Sequence, residues 1–264
     1  MKYDYSLSSL KKCINHLKIN KNDVIYVSGN LLNFGRIKLK KIKYLPKLFF
    51  DNLLKKIGSG GTIVVPAHSF NLVKNNQIFD LKKTPSESGI FSQFILNKKK
   101  TVRQLHPFSS SAAYGRDAKY ICTKNTINVY GKNSPFERLI KKNAKFVSLG
   151  MEINLNCSQV HHAEYVMKVP YRYNKNFLYQ IRINNRVIKK KFNLYVLREK
   201  FLNIKRNKNK KIVKNFKKRN KVDKQKLGLS YIYTYNIKDF YNENILLLKK
   251  DEFCWLGKRV KIND

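Results

Sequence analysis

The sequence has few cysteines, few acidic residues and no long apolar run. Its cysteines are scattered, without a C-x-x-C pair, at Cys13, Cys122, Cys157 and Cys254. This spacing argues against a zinc ribbon and against a disulfide scaffold, so we expect reduced thiols. No stretch reaches the roughly 18 uninterrupted apolar residues of a membrane span, and the N-terminal residues include no apolar signal core. We therefore expect a cytoplasmic protein with no membrane span.

The shortage of acidic residues leaves the chain strongly basic. It has 16 Asp and Glu residues against 56 Lys and Arg, a formal net charge of +40. Basic domains often bind nucleic acid or anionic surfaces, so a basic binding protein is one hypothesis for this chain. However, lysine, asparagine and isoleucine are over-used along the whole sequence. No RRM, KH, zinc-finger or helix-turn-helix signature is present, and we expect no specific nucleic-acid partner. The charge would attract anions such as coenzyme A or nucleotide-linked sugars.

The excess of basic residues is greatest in the segment 174–226. Between Lys175 and Lys226 there are 20 Lys or Arg residues against two acidic residues, Glu199 and Asp223. The apolar periodicity is broken there, which predicts solvated surface, partly loop, rather than a catalytic element. We expect a strongly basic, divergent segment within a single domain that spans residues 1–264.

Helical and strand patterns alternate along the first part of the chain. Apolar residues recur at helical spacing from Leu7 to Leu17, and "DVIYVS" (23–28) has the length and composition of a buried strand. Pro46 opens a second helical pattern, which is followed by another apolar strand, "TIVVP" (62–66). The helical "SPFERLIKK" and the strand-like "KFVSLG" (145–150) repeat the alternation. This pattern predicts an α/β fold with a largely parallel or mixed sheet.

The best candidate for a reaction centre is "NCSQVHHAEYV" (156–166), which follows an apolar strand and a glycine turn. In α/β sheets, functional residues gather where strands end and helices begin. Ser158 is a good N-cap, which would place His161 at the third helical position and Glu164 on the same face. His162 would point about 100° away, as a bystander. A helix N-terminus disfavours a protonated imidazole and a nearby carboxylate favours it, which together are typical of a general base that is neutral near pH 7.

Three other interpretations of this stretch stay open. It is also consistent with an ordinary capped helix whose histidine is polar surface. A thiolate at Cys157 is close in sequence to His161, but has no assured reach to the imidazole. A metal site would have to combine His161 and Glu164 with a distant histidine such as His68 or His106. No H-E-x-x-H or comparable spacing is present, so we expect no metal.

Two further segments have the composition of ligand-binding turns. "TVRQLHPFSSSAAYG" (101–115) combines Arg103, which can bind phosphate, with small and hydroxyl side chains that let the backbone approach a ligand. "VYGKNSPFERL" has Asn133 or Ser134 as a candidate N-cap and Pro135 at the first helical position. The N–H groups of that helix start would suit a phosphate or a developing oxyanion. Each segment alone is equally consistent with an ordinary turn or helix start.

In order, these segments resemble the aminoglycoside 3-N-acetyltransferase family, which is unrelated to the GNAT acetyltransferases. That family has patterns like F-D…T-P-S…G, R-S-x-H-P-x-H-S-x-A-A-x-G, G-x-x-S-P, and L-G followed by T-x-x-H-x-A-E. The corresponding stretches here are "FDLKKTPSESG" (79–89), "RQLHPFSSSAAYG" (103–115), "GKNSP" (131–135), "LG" (149–150) and "SQVHHAE" (158–164). "GTIVVP" and "VPYR" (169–172) also look similar. Several motifs in one order are far more specific than one alone.

The resemblance implies a three-layer α/β/α fold and an acyltransferase that uses acetyl-CoA as donor, without a covalent enzyme intermediate. His161 and Glu164 match the catalytic residues of the family, and Ser158 is in the threonine position. His161 would then take a proton from the acceptor amine as the amine attacks the thioester, while Glu164 orients the imidazole and stabilises its charged form. Nearby N–H or hydroxyl donors would stabilise the oxyanion. The implied contacts with pantetheine or phosphate are Arg103, Ser110 and Ser134.

The acceptor side departs from the family pattern. Ser28 and Ser109 each replace a histidine of the family, and Gln104 replaces a serine. An aminoglycoside is a polycation, so a chain of this charge would need a locally acidic cleft to bind it. The candidate carboxylates are Asp80, Glu87, Glu152 and Glu164. With Asp80 and Ser158 as expected substrate contacts, we expect an amine acceptor on an aminoglycoside or related amino sugar. Amino-sugar acylation in surface-polysaccharide biosynthesis is the alternative.

Overall fold

The computed structural model describes residues 2–39, 41–75, 77–124, 127–156, 158–204, 210–219 and 221–256. The helices are α1 Leu7–His16, α2 Leu45–Ile57, α3 Asn71–Lys74, α4 Ile90–Leu96, α5 Ala118–Cys122, α6 Pro135–Lys141, α7 Val160–Val166, α8 Lys210–Lys218 and α9 Ile237–Lys250. The strands are β1 Val24–Gly29, β2 Thr62–His68, β3 Phe79–Asp80, β4 Val102–Arg103, β5 Ser109–Gly115, β6 Lys145–Leu149, β7 Arg172–Ile183, β8 Arg186–Leu197, β9 Val222–Leu227 and β10 Ser230–Asn236. None of the described helices is long and apolar enough to cross a membrane.

A mixed sheet of seven strands lies at the centre, in the order β4-β5-β2-β1-β6-β10-β9. Its middle strands β2, β1 and β6 are parallel. β5 and β4 continue the sheet in antiparallel fashion on one side, and β10 and β9 do so on the other. A second, smaller sheet has the order β3-β7-β8. The mixed central sheet is one of the two arrangements that the alternating pattern predicts.

Helices cover both faces of the central sheet because successive strand side chains point to opposite sides. Val24 and Tyr26 of β1 belong to a buried cluster with residues of α5, α6, α7, α8 and α9. Ile25 and Val27 of the same strand belong to a second cluster with residues of α1, α2 and α4. Burial on both faces explains why the first four residues of this strand are all apolar. The result is a three-layer α/β/α fold, which confirms the predicted fold class.

The first two helices begin and end near the predicted positions. Ser6 and Ser9 form a capping box at the start of α1, in which the Ser6 hydroxyl accepts from the Ser9 amide at 3.1 Å. α2 has Pro46 in its first turn, where the missing N–H removes no hydrogen bond. It ends before Gly58, whose φ of 71° is open to glycine at little cost.

The basic segment 174–226 is far more regular than its broken periodicity predicts. β7 and β8 form a long antiparallel hairpin that closes with Ile183 opposite Arg186. The turn residues Asn184 and Asn185 have φ values of 47° and 65°. Tight two-residue hairpin turns require positive φ, and asparagine tolerates it. Residues 174–197 of the segment are therefore regular strand apart from the two-residue turn.

The hairpin has one buried face and one exposed face. Ile181 and Phe192 are buried in a small apolar cluster with Phe79 and Phe108, under the second sheet. Lys189 and other lysines of β8 are exposed on the opposite side. Lys190 lies between two outward lysines, on the same face of the strand as Phe192, so three consecutive lysines interrupt the alternation of apolar residues and make the strand hard to recognise. The same segment also supplies α8 and β9, and β9 pairs with β10 in the central sheet.

Candidate active site

The candidate site lies where β1 and β6 end, at the carboxyl edge of the parallel strands. β6 ends at Leu149 and is followed by Gly150, whose φ is 67° and whose added Cβ would lie 2.5 Å from the Asn30 carbonyl oxygen. A loop then leads into α7, which carries the candidate histidine and glutamate. Binding residues of α/β sheets gather at this edge, so the sequence-based location of the site is physically reasonable.

His161 and Glu164 are brought into direct contact on one face of α7. His161 Nδ1 lies 2.6 Å from Glu164 Oε2, and the side chains are 25% and 2% exposed. The histidine therefore reaches solvent while its carboxylate partner does not. A carboxylate at Nδ1 fixes the tautomer and makes Nε2 the nitrogen that exchanges a proton with a substrate.

Two residues that sequence reasoning missed hold the carboxylate. The Tyr171 hydroxyl donates to Glu164 Oε1 at 2.8 Å. Arg172 Nε lies 2.9 Å from Oε2, as a buried ion pair whose N–H is not aligned well enough for a directed hydrogen bond. Both residues belong to "VPYR", so the family-like appearance of that tetrapeptide was the available signal. Tyr195 adds a bond from its hydroxyl to the Glu164 carbonyl oxygen at 3.1 Å.

These partners keep Glu164 ionised. Burial raises the pKa of the Glu164 carboxyl, but His161, Arg172 and Tyr171 together lower it by more than burial raises it. The net pKa is therefore below its usual value. Burial and the neighbouring carboxylate raise the pKa of Tyr171, which stays a neutral donor. The site therefore holds a fixed negative charge directly behind the imidazole, where it stabilises an imidazolium.

Ser158 does not cap the helix, and that prediction is wrong. Gln159 has helical backbone angles and occupies the N-cap position, without a side-chain capping bond. The Ser158 carbonyl oxygen accepts from the His161 amide at 3.1 Å. The side-chain amide nitrogen of Gln159 donates to the Tyr235 hydroxyl. Gln159 thus ties the start of α7 to the sheet, and a substrate contact by Ser158 stays a prediction.

His162 lies away from this pair and is part of the core. It is 3% exposed, and its ring packs against Phe136 and Tyr241. Its Nδ1 accepts from the Gly131 amide at 3.3 Å. Burial lowers the pKa of His162 to about 4, so the ring is neutral and structural.

The side chains of Arg103 and Ser110 form hydrogen bonds within the protein that stabilise the fold. The guanidinium is buried, donates to the Ser110 hydroxyl at 3.0 Å and to the Ala67 carbonyl oxygen at 2.8 Å, and also reaches the Thr84 carbonyl oxygen. The Ser110 hydroxyl in turn donates to Ala67 at 2.7 Å. These bonds fasten the "TPS" loop to β2 and β5. A contact of either residue with acetyl-CoA stays a prediction.

Ser134 is the N-cap of α6, one of the two candidates for that position. Its hydroxyl accepts from the Glu137 amide at 3.3 Å, and Pro135 is in the first turn. Ser134 is completely buried, so the hydroxyl serves the helix start. Its predicted contact with pantetheine or phosphate is likewise untested by this arrangement and stays a prediction.

Ser109, one of the replaced family positions, lies in a second polar group with His68 and His106. Ser109 Oγ lies 3.2 Å from His68 Nδ1, and Ser28 pairs with Ser148 between β1 and β6. Burial, with a smaller effect of Arg103, lowers the pKa of His68 to about 4. His106 is wholly buried and accepts the Ser109 amide at 3.2 Å through Nδ1. It therefore shapes the turn before β5 rather than facing a ligand.

Each of the candidate carboxylates already has a hydrogen-bond or ion-pair partner within the protein. Asp80 accepts the Lys82 and Lys83 amides at 2.9 Å, and Glu87 accepts the Asn71 amide at 2.8 Å. Glu152 pairs with Lys217 at 3.0 Å, and Glu164 is buried behind His161. Capping and pairing account for these side chains, so the predicted acidic cleft gains no support, and the role of Asp80 as a substrate contact stays a prediction.

Among the residues that the structure describes, no group of three or more His, Cys, Asp and Glu side chains is placed to hold a metal ion. His161 and Glu164 lie together, but His68 and His106 belong to the separate polar group at β2 and β5. Cys157, the alternative nucleophile, lies outside the described residues.

The fold is similar to that of several solved proteins, among them aminoglycoside acetyltransferases. AAC-VIa with bound sisomicin matches with a TM-score of 0.79 and 18% identity, over 93% of this chain and 98% of that one. AAC-IIIb, solved as a binary complex with CoASH, matches with a TM-score of 0.77 and 18% identity, over 97% and 98% of the two chains. YokD from Bacillus subtilis matches with a TM-score of 0.75 and 16% identity, over 93% and 99%. At these identities the likeness shows a shared fold.

The family assignment comes from the sequence itself. No curated protein matches the chain significantly. The model of the family described as aminoglycoside 3-N-acetyltransferase matches residues 35–249, which include the "TPS", "HP", "GKNSP" and "HHAE" segments and the residues around Glu164. The chain therefore belongs to the aminoglycoside 3-N-acetyltransferase family, as its ordered motifs indicate.

Proposed function

We propose that the protein is an acetyl-CoA-dependent N-acetyltransferase that transfers acetyl directly to an amino group, with His161 as general base. The observation that carries the proposal is the solvent-reaching imidazole of His161, 2.6 Å from a buried carboxylate. The carboxylate is held ionised by Tyr171 and Arg172. Family membership supports the acyltransferase class.

In this mechanism His161 Nε2 takes the proton that the acceptor amine loses as it attacks the thioester carbonyl. Glu164 holds the ring with Nε2 directed to the reaction and stabilises the imidazolium that forms. The amine nitrogen bonds to the acetyl carbon of acetyl-CoA, the carbon–sulfur bond breaks, and the imidazolium of His161 returns its proton to the departing sulfur, so that CoA leaves as the thiol. The reaction then needs no enzyme nucleophile, since the amine attacks the donor itself.

The likeness to AAC-IIIb, which was solved with CoASH, supports coenzyme A as the acyl carrier. The side chains predicted to contact it, Arg103, Ser110 and Ser134, already have partners within the protein. We therefore place more weight on backbone N–H groups than on these side chains for binding the donor. A cytoplasmic location, where acetyl-CoA is available, is part of the proposal.

For the acceptor, we propose an amino group of an aminoglycoside or related amino sugar. The bound sisomicin of AAC-VIa supports an aminoglycoside by analogy with a protein of the same fold. The formal charge of +40 favours the alternative, an amino sugar of surface-polysaccharide biosynthesis, because a polycation is repelled at long range. Glu152 is paired with Lys217, and Asp80 accepts the Lys82 amide. Because these carboxylates already have partners, they add to the preference for the alternative.

The test is thiol release from acetyl-CoA with a panel of aminoglycosides and nucleotide-linked amino sugars. His161→Ala should lower the rate by about 10²–10⁴, the usual contribution of general acid–base catalysis. The matched control is His16→Ala, which removes an exposed histidine of α1 and should leave the rate unchanged. Turnover of His161→Ala at the wild-type rate would reject His161 as the base, and no turnover of the wild type with any amine would reject the proposed activity.

A further inference from the structure

A groove with a basic rim opens beside the loop that leads from β6 to α7. Its cavity volume is about 530 Å³, and its lining residues are Glu152, Asn154, Leu155, Val213, Lys214, Lys217 and Lys218. The floor is apolar, from Leu155, Val213 and the lysine stems. Three ammonium groups against one carboxylate give the groove a net positive charge, which suits an anion and opposes a polycation.

The carboxylate of the groove is already neutralised. Glu152 pairs with Lys217 at 3.0 Å, and its other oxygen accepts from the Tyr233 hydroxyl. Burial raises the pKa of Glu152, but Tyr233, Lys217 and Lys224 lower it by more than burial raises it. The Glu152 carboxylate is therefore ionised, and the neighbouring lysines balance its charge. Lys214 and Lys218, one helical turn apart on α8, are the exposed cations that remain at the rim.

The lysines stand on a firmly anchored helix. Val213 and Phe216 of α8 are buried in the cluster beneath the sheet. The Phe216 ring packs edge-on against Tyr235 of β10 at 5.7 Å and against Phe240 of α9 at 5.3 Å. The backbone positions of these lysines are therefore fixed, even though their long side chains are mobile.

The groove is structurally connected to the candidate active site. Tyr235, which packs against α8, also accepts the hydrogen bond of Gln159 at the start of α7. Leu155 of the groove and His161 belong to the same connection between β6 and α7, six residues apart in the sequence. These contacts place the groove beside the loop that precedes α7.

We propose, resting on the acetyl-transfer function above, that this groove binds the phosphate of an anionic acceptor, so that the natural substrate is a phosphorylated or nucleotide-linked amino sugar. Lys214 and Lys218 bind the phosphate oxygens, and the apolar floor contacts the sugar or base. The amine of the same molecule is then acetylated at His161. Coenzyme A also carries phosphates, so the experiment must separate the two sources.

The experiment compares glucosamine 6-phosphate and a uridine-diphosphate-linked amino sugar with free glucosamine, at constant ionic strength. Kd is measured by calorimetry without acetyl-CoA, and KM for acceptor and donor by thiol release. We expect Lys214→Gln/Lys218→Gln to weaken the phosphate-bearing acceptors about tenfold, since two solvent-exposed ion pairs are together worth about that factor. Free glucosamine and the KM for acetyl-CoA should not change.

The matched control is Lys249→Gln/Lys250→Gln, which removes two exposed charges from the end of α9 and should leave every value within about twofold. An equal loss in both double variants would mean a general charge effect and would overturn the proposal. A selective rise in the KM for acetyl-CoA would assign the groove to the donor and also overturn it. If the wild type shows no turnover but still binds the phosphate-bearing compounds in a way that depends on Lys214 and Lys218, the enzymatic function is rejected and the anion site is kept.

Discussion

Replacing Glu164 with glutamine is expected to weaken both the fold and the reaction. The side chains of Glu164 and Arg172 are 2% and 6% exposed, so the variant leaves a buried guanidinium without its carboxylate. Breaking a buried ion pair in this way costs about 3–5 kcal/mol, a large share of the roughly 5–15 kcal/mol by which domains are stable. Loss of imidazolium stabilisation should also lower thiol release by about 10² or more.

Urea unfolding at pH 7 measures the stability loss, and Arg172→Met is the matched partner. Because the double variant Glu164→Gln/Arg172→Met buries no unpaired charge, it should lose clearly less free energy of unfolding than the two single losses added together. Two losses that simply add, or a loss below about 1 kcal/mol for Glu164→Gln, would refute the reasoning, because neither fits a buried pair.

The pH dependence of this loss has a definite sign. The net pKa of Glu164 is below its usual 4.5, since its partners outweigh the effect of burial. A carboxylate with a depressed pKa contributes stability that is complete above the unfolded-state value and is lost as pH falls through the folded-state value. The difference between wild type and Glu164→Gln should therefore shrink as the pH falls below about 5, through the unfolded and folded pKa values of Glu164. A difference that grows as the pH falls below about 5 would contradict this account.

Three further outcomes follow from other parts of the structure. Burial lowers the pKa of His106 and His162 to about 4, below the unfolded value of about 6.5, so stability should fall as pH drops between these values, by up to about 3 kcal/mol per histidine. Their glutamine variants should flatten the dependence of unfolding free energy on pH in that window. Arg103→Met should destabilise the protein by about 2–4 kcal/mol through unpaired carbonyl groups, with the KM for acetyl-CoA unchanged; a higher KM at full stability would favour its predicted phosphate contact. Asn185→Val should lower the unfolding free energy by about 1–2 kcal/mol because valine resists the positive φ of the hairpin turn, whereas Asn185→Gly should be neutral or stabilising.

The sequence predicts the parts of the site that depend on local geometry. His161 and Glu164 meet because residues three apart share a helix face, and this spacing can be read without knowing the fold. The buried strands β1 and β2 are similarly visible as short apolar runs. The three-layer arrangement follows from their alternation with amphipathic helices, together with the family resemblance.

The missed parts depend on tertiary contacts. Tyr171 and Arg172 reach Glu164 only because β7 starts beside α7. Ser158 does not cap α7, because Gln159 occupies the N-cap position with helical backbone angles. Arg103 looks like a phosphate ligand until its bonds to Thr84 and Ala67 are known. Its guanidinium is satisfied by backbone carbonyl groups 19 and 36 residues away in the sequence.

The strand order of the central sheet has a consequence for the order in which the chain acquires its structure during synthesis. β6 and α7 are made before their partners: β10, which pairs with β6, and α9, which packs on α7, follow only after the hairpin and α8. Until then β6 has an unpaired edge, a known starting point for aggregation. The histidine and its carboxylate therefore emerge from the ribosome well before the elements that enclose them, and a nascent chain cannot become active until α9 has been made.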